Sequence, residues 1–254
     1  MTVHVEISRR AGIEVLRLRR PEKRNALTQE IYRALCDAIE AGETDDDVRV
    51  RVLFGCEGHF TGGNDVADFL ATAKGERGAP RDVVRFIEVL PQTTKPLIAG
   101  VDGQAIGIGT TLLMHCDLVY ATPEATFATP FLDLGLVPEA ASSLLMPAAM
   151  GYARAFEMLV LGETFSAERA REAGIVNAIV PRADLELHTL KIAQRLAKKP
   201  PQALAIAKRL MRGNVPVVLE RTREEVQAFA ERLMSPEARS AFEAFMSRQR
   251  PEKG

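Results

Sequence analysis

The sequence predicts an α/β fold with a helical C-terminal extension. Strand-like and helix-like patterns alternate as far as the NAIV segment at 177–180, and from about Leu185 onward helical patterns alone remain. The chain also has the material for a core. Of its 254 residues 46% are hydrophobic, which suits a packed domain and excludes a disordered chain.

The elements follow in order. Val3, Val5 and Ile7 alternate with polar residues, and so do Leu16 and Leu18, as in half-buried strands. Thr28 is placed to cap a helix whose apolar positions Ile31, Leu35, Ala38 and Ile39 share one face. Val50 to Phe54 reads as a strand, residues 73–81 (AKGERGAPR) as a loop, and Asp82 to Leu90 as a helix. The segment KPLIAGVDG contains a short strand ended by Gly103, GIGTTLLMHCD a glycine turn opening a helix, and DLVYAT another strand. Helices are expected near 152–161 and 167–173. Three further helical patterns, centred on Leu204 to Met211, Val226 to Leu233 and Ala238 to Phe245, fill the C-terminal part. The expected division is a core over 1–195 and a helical region over 196–254.

Composition removes several function classes. Lys+Arg (33) and Asp+Glu (34) nearly cancel to a net charge of −1, so no basic face for nucleic acid is expected. Cys36, Cys56 and Cys116 are odd in number and form no C-x-x-C pair, and the four histidines lack metal-ligand spacing, so neither a disulfide framework nor a metal site is expected. No run approaches a membrane span, MTVHVEISRR lacks a secretory pattern and PEKG is not a peroxisomal S-K-L signal, so the expectation is a cytoplasmic protein without a membrane partner.

The chemistry concentrates in two glycine clusters, Gly62-Gly63 and Gly107/Gly109. Each follows an apolar strand and precedes a helical pattern. Glycine permits close backbone approach, and a helix start presents unpaired N–H groups, so the pair could form a two-donor oxyanion hole or simply two strand-to-helix turns. No third glycine stands at Leu112, so a dinucleotide fingerprint does not fit.

Five segments together resemble the crotonase superfamily (enoyl-CoA hydratase/isomerase) over nearly the whole chain. They are RPEKRNALT at 20–28, HFTGGNDVADF at 59–69, DGQAIGIGTTLLMHCDLVYA at 102–121, FATPFLDLGLVPEAASS at 127–143 and GETFSAERAREAGIVNAIVP at 162–181. The resemblance implies a spiral of ββα turns with C-terminal helices that build homotrimers, often paired as hexamers. It implies an acyl-CoA thioester as substrate, with coenzyme A entering as part of that substrate and no separate cofactor. The backbone N–H groups of Gly62 and Ile108 are the implied oxyanion donors. Arg24, Ala26 and Leu27 match the family's CoA-binding segment. Arg248 aligns with a basic residue of the last helix that meets the CoA phosphates from a neighbouring subunit. Gly63, Asn64, Asp65, Val66, Phe69, Thr111 and Phe131 are the implied surroundings of the substrate.

Hydratases of this family use two glutamates, and here those positions hold Thr111 and Phe131. A different carboxyl, Glu139, stands eight residues beyond Phe131 in GLVPEAASS. That pattern resembles the peroxisomal-type Δ3,Δ2-enoyl-CoA isomerase branch, in which a single glutamate at this position moves the proton. The resemblance thus implies a double-bond shift from the 3- to the 2-position, with hydration or another crotonase reaction as the alternative and a non-catalytic acyl-CoA-binding protein as a third reading. Val137, Pro138, Ala140 and Ala141 flank Glu139, and such apolar surroundings should raise its pKa.

Overall fold

The computed structural model describes residues 4–56, 58–73 and 81–248. Two strands, β1 (Val5–Arg10) and β2 (Ile13–Leu18), open the chain as an antiparallel hairpin. Helix α1 (Gln29–Thr44) follows, with the Thr28 hydroxyl accepting the Ile31 N–H as the sequence predicts. Ile31, Tyr32, Leu35 and Ile39 of this helix are buried in the core. Each such side chain contributes about 1.5–3 kcal/mol of burial.

From here the chain winds in repeating turns. In the first, β3 (Val50–Phe54) and β4 (His59–Thr61) precede α2 (Val66–Ala73) and α3 (Arg81–Val89). In the second, β5 (Leu97–Val101) and β6 (Gln104–Ile106) precede α4 (Ile108–Thr111), which continues as a 3-10 turn over Leu112–His115. In the third, β7 (Leu118–Ala121) and β8 (Thr126–Ala128) lead through Phe131 and Glu139 into α5 (Ser142–Met150). Each turn adds one strand to each of two sheets. The larger has the order β1-β2-β3-β5-β7 and is completed by β10 (Ala178–Ile179); the smaller runs β4-β6-β8 and is completed by β9 (Phe165–Ser166). Neighbours β3/β5/β7 and β4/β6/β8 are parallel, as a spiral of ββα turns requires.

The corner between the sheets is tight. Gly103 has φ 73°, and a Cβ there would stand 1.9 Å from the Gly58 carbonyl oxygen. Only glycine fits such an approach. Asp102 ties the same corner, accepting the Gly58 N–H at 2.8 Å and the Arg182 Nε at 3.0 Å. Beneath the sheet, fully buried Arg51 pairs with fully buried Glu14 at 3.0 Å and donates to the Ile39 carbonyl at 2.7 Å, joining β2, β3 and α1.

Beyond α6 (Tyr152–Leu159) and α7 (Ala167–Glu172) come α8 (Arg182–Ala197), α9 (Pro201–Arg212), α10 (Val215–Leu233) and α11 (Pro236–Arg248). The expected division at 195 falls in the last turn of α8. Most of the loop expected over 73–81 lies outside the described residues. No helix among the described residues is long and apolar enough to cross a membrane, and no cluster of His, Cys, Asp or Glu among them could hold a metal ion.

Candidate active site

The two glycine clusters meet. Gly63 sits at the end of β4 with φ 85°, and a Cβ on it would stand 2.7 Å from the Ile106 carbonyl oxygen, at the end of β6. The 62–65 loop and the 106–108 loop therefore touch through bare backbone. The segment expected to bind CoA is clipped to the same place. Leu27 donates its N–H to the Gly63 carbonyl at 2.8 Å and accepts the Asp65 N–H at 3.0 Å. Its side chain is buried in the core, so it offers backbone alone. Arg24 occupies the left-handed region at φ 50° with its side chain exposed, and Ala26 is half-buried beside it.

The amide directions correct one expectation. The Gly62 N–H donates to the Arg24 carbonyl at 2.7 Å, and the Gly63 N–H donates to the Thr61 hydroxyl at 3.1 Å. Both are engaged. The next amide, Asn64, has no acceptor among the described residues, and neither has Ile108 at the first position of α4. The backbone N–H groups of Asn64 and Ile108 are therefore the ones these two loops leave open to an incoming oxygen, in place of the Gly62 and Ile108 pair expected from the sequence. The Asn64 side chain is held from behind, its Oδ1 accepting the buried Tyr32 hydroxyl at 2.5 Å.

Asp65, which stands among the implied substrate surroundings and also reads from the sequence as a cap or local structural group, takes the second role. Its Oδ2 accepts Arg20 Nη1 at 2.6 Å and its Oδ1 accepts the Ala67 N–H at 3.0 Å, so it caps α2 and leaves no lone carboxylate for a substrate.

Glu139 arrives from the third turn of the spiral. It is 5% exposed, and its Oε1 accepts the Thr111 hydroxyl of α4 at 2.5 Å. Thr111 thus serves the carboxyl rather than facing substrate directly. Burial first, opposed by the Thr111 hydrogen bond and aided by the charge of Glu225, pushes the Glu139 carboxyl from 4.5 up to about 8. Tyr32, whose ionisation is pushed well above its ordinary range by burial first and by the Glu139 charge second, stays a neutral donor nearby.

The residues after Glu139 are unusual. Ala140 and Ala141 both have positive φ, 58° and 55°. Non-glycine residues held this way cost on the order of 1–3 kcal/mol each and need external restraint. His115 supplies one, its Nε2 lying 2.8 Å from the Ala140 carbonyl. Burial lowers the His115 pKa to about 4, so the ring is neutral and donates from Nε2. Burial likewise pushes the Cys36 and Cys116 thiols up to about 12, which keeps both unreactive.

A cavity of about 440 Å³ opens beside the loops. Gly63, Asn64, Val66, Ile106 and Gly107 line one end and Phe131 and Leu134 a side. Phe229 of α10 and Phe242 and Phe245 of α11 form the far wall. Val66 and Phe131, expected near the substrate, both line this cavity. Phe69 and Arg248 lie on described helical backbone, but their side chains are outside the described residues. The wall from α10 and α11 is new; its signal, phenylalanines on amphipathic helices, is indistinguishable in sequence from ordinary core.

A sequence profile described as enoyl-CoA hydratase/isomerase matches residues 8–253. The rat protein "Enoyl-CoA delta isomerase 2" is 35% identical over 247 residues, covering 95% of this chain and 63% of that protein, so the chain spans less than two thirds of that relative's length. The Escherichia coli K12 protein "2,3-dehydroadipyl-CoA hydratase" is 32% identical over 253 residues, covering 97% of this chain and 96% of that protein. The solved structure of Pseudomonas aeruginosa OdaA superimposes with a TM-score of 0.91 at 40% identity, covering 96% of this chain and 99% of that one.

Proposed function

The chain belongs to the enoyl-CoA hydratase/isomerase family, and from that premise we propose that it is an enoyl-CoA isomerase moving a double bond from the 3- to the 2-position of an acyl-CoA thioester. The observation that carries the reading is Glu139: one buried carboxyl, raised to about 8 and hydrogen-bonded to Thr111 of α4, the short helix whose first amide, Ile108 N–H, has no acceptor among the described residues. A proton-transfer base works best with a pKa near the operating pH.

The ionised Glu139 carboxylate removes a proton from the carbon alpha to the thioester. Negative charge spreads into a dienolate, whose oxygen the Asn64 and Ile108 amides stabilise as it develops. The same carboxyl, now protonated, returns the proton to the gamma carbon and regenerates its charge. The double bond ends in conjugation with the carbonyl, and atoms balance without water or an external oxidant. The Thr111 hydroxyl, bonded to Oε1, holds the carboxyl through both half-reactions.

Hydration would ask for a second carboxyl to activate water. The positions that would supply the usual pair hold Thr111 and Phe131, and Asp65 is engaged by Arg20. Coenzyme A is part of the substrate in this reading, and no other cofactor enters the chemistry. Assembly as a homotrimer or hexamer belongs to the same proposal; Tyr152, Phe156, Leu210 and Met211 are exposed apolar side chains that association would cover.

The test supplies purified protein with 3-hexenoyl-CoA and, separately, with 2-hexenoyl-CoA. Conjugated thioester absorbance should rise at constant mass with the first substrate, and the second should take up no water. Water addition to the second substrate would overturn the isomerase reading in favour of hydration.

A further inference from the structure

The backbone turn that presents Glu139 is secured from the C-terminal helical region. Ala141 occupies the N-cap position of α5, where its methyl group cannot accept the free amides of the first turn. Glu225, on α10, takes that place. Its Oε2 accepts the Ala141 N–H at 2.6 Å, and its Oε1 accepts the Ser143 N–H at 2.9 Å and the Ser143 hydroxyl at 2.5 Å. Glu225 is 6% exposed. Burial pushes its pKa up, but both of its oxygens face backbone donors that cannot accept in return, and the Arg221 charge pulls the other way, which fits an ionised carboxylate at neutral pH. Arg221, one turn earlier on α10, donates to the Ser143 hydroxyl at 3.2 Å and so directs that hydroxyl's proton to Glu225.

We infer that Glu225 is a positioning residue for the proton transfer: it holds the left-handed Ala140–Ala141 turn in place and thereby sets where the Glu139 carboxyl points. The inference rests on Glu139 being the base. Glu225 does not touch the substrate cavity and lies far along the chain from every motif that carries the family resemblance. It completes a clamp whose other jaw is His115, on the Ala140 carbonyl. An unrestrained alanine leaves the left-handed region readily, and a shift of the base by about 1 Å can cost on the order of a hundredfold in rate.

The charge on Glu225 gives a second handle. Glu139 is faced by Thr111 of α4, Tyr32 of α1 and Glu225 of α10, with neutral His115 behind Ala140; Glu225 is faced by Arg221 of its own helix and by Ser143 of α5. A negative Glu225 keeps Glu139 protonated to higher pH. Removing that charge should therefore move the acid limb of the pH–rate profile downward, which a purely structural cap would not do.

The experiment compares Glu225→Gln, Glu225→Asp and Glu139→Gln in the full chain with 3-hexenoyl-CoA, across pH. For Glu225→Gln the plateau kcat should fall roughly ten- to a hundredfold, KM should stay unchanged, and the acid limb should move to lower pH. Glu225→Asp keeps the charge but shortens the reach, so kcat should fall while the limb stays in place. Adding Ala141→Gly, which accepts positive φ without strain, should restore part of the lost kcat. Parental kcat and pH profile in Glu225→Gln, together with an inactive Glu139→Gln, would overturn this inference and leave the proposed function standing. Full activity in Glu139→Gln would remove the base itself and both readings with it. If Glu225→Gln yields no folded protein even with Ala141→Gly, Glu225 serves the stability of the fold and the inference also fails.

Discussion

Replacing Glu139 with glutamine should make the protein more stable at alkaline pH even as it abolishes activity. Burial holds the carboxyl at about 8 in the folded chain against an ordinary 4.5. Between those values the unfolded chain has released its proton and the folded chain still holds it, so folding stability falls as pH rises, and the loss is complete above the folded value. At 1.36 kcal/mol per pH unit the interval corresponds to about 5 kcal/mol, a large share of the roughly 5–15 kcal/mol that holds a domain together. The amide variant has no proton to release and keeps the hydrogen bond from Thr111. Neutral burial of His115 has the opposite sign, since its folded pKa near 4 makes stability rise with pH up to its ordinary 6.5, but it is common to both proteins and cancels in their difference. Urea unfolding of both proteins at about pH 5, 6.5, 8 and 9 reads that difference. It should be small at the lowest pH and grow by about 2 kcal/mol between 6.5 and 8. A difference that stays constant with pH would mean that Glu139 ionises freely in the folded state, and the argument from its burial would be wrong.

Three further outcomes are expected. Ile108→Pro deletes one of the two proposed oxyanion donors at the first position of a helix, where proline is tolerated, so kcat should drop by about 10²–10³ while circular dichroism stays native. Thr111→Val removes the hydrogen bond that favours the ionised carboxyl, so the acid limb of kcat against pH should move upward; a downward or absent shift would contradict the assigned role. Phe245→Ala opens the far wall of the cavity, so the ratio of kcat/KM for a 3-decenoyl over a 3-hexenoyl thioester should rise, as stopped-time mass analysis of the two substrates in competition would show.

Glu139 was legible only through the resemblance of GLVPEAASS to the isomerase branch, since a lone glutamate among apolar residues reads by itself as exposed; the two loops were legible because each glycine cluster follows a strand. That the Gly62 amide is engaged while the Asn64 amide is left open was not, because it depends on φ and ψ through the Gly63 turn and on Arg24 folding back onto Gly62. The partner that engages Asp65 was hidden for a similar reason: Arg20 is distant in sequence and meets it only once the 20–28 segment folds back. Glu225 sits in the helical run Arg221-Thr222-Arg223-Glu224-Glu225, which reads as a solvated face. It turns inward because the N-terminus of α5 needs an acceptor, a demand set by tertiary packing. The aromatic wall of the cavity was hidden among positions with ordinary helical spacing.

Glu225 and Phe229 are four residues apart on α10, and so occupy the same face of one helix. One anchors the turn that carries Glu139; the other forms part of the wall that an acyl tail in this cavity would meet. A rigid rod with two such attachments transmits displacement from one to the other. A tail too long for the cavity would lift Phe229 and loosen the grip on Ala141, so an ill-fitting substrate would be penalised in turnover as well as in binding. Chain-length selection and proton transfer would then be mechanically one property, and redesign of the wall at Phe229 would need compensation at Glu225, whereas redesign at Phe245 on α11 would not.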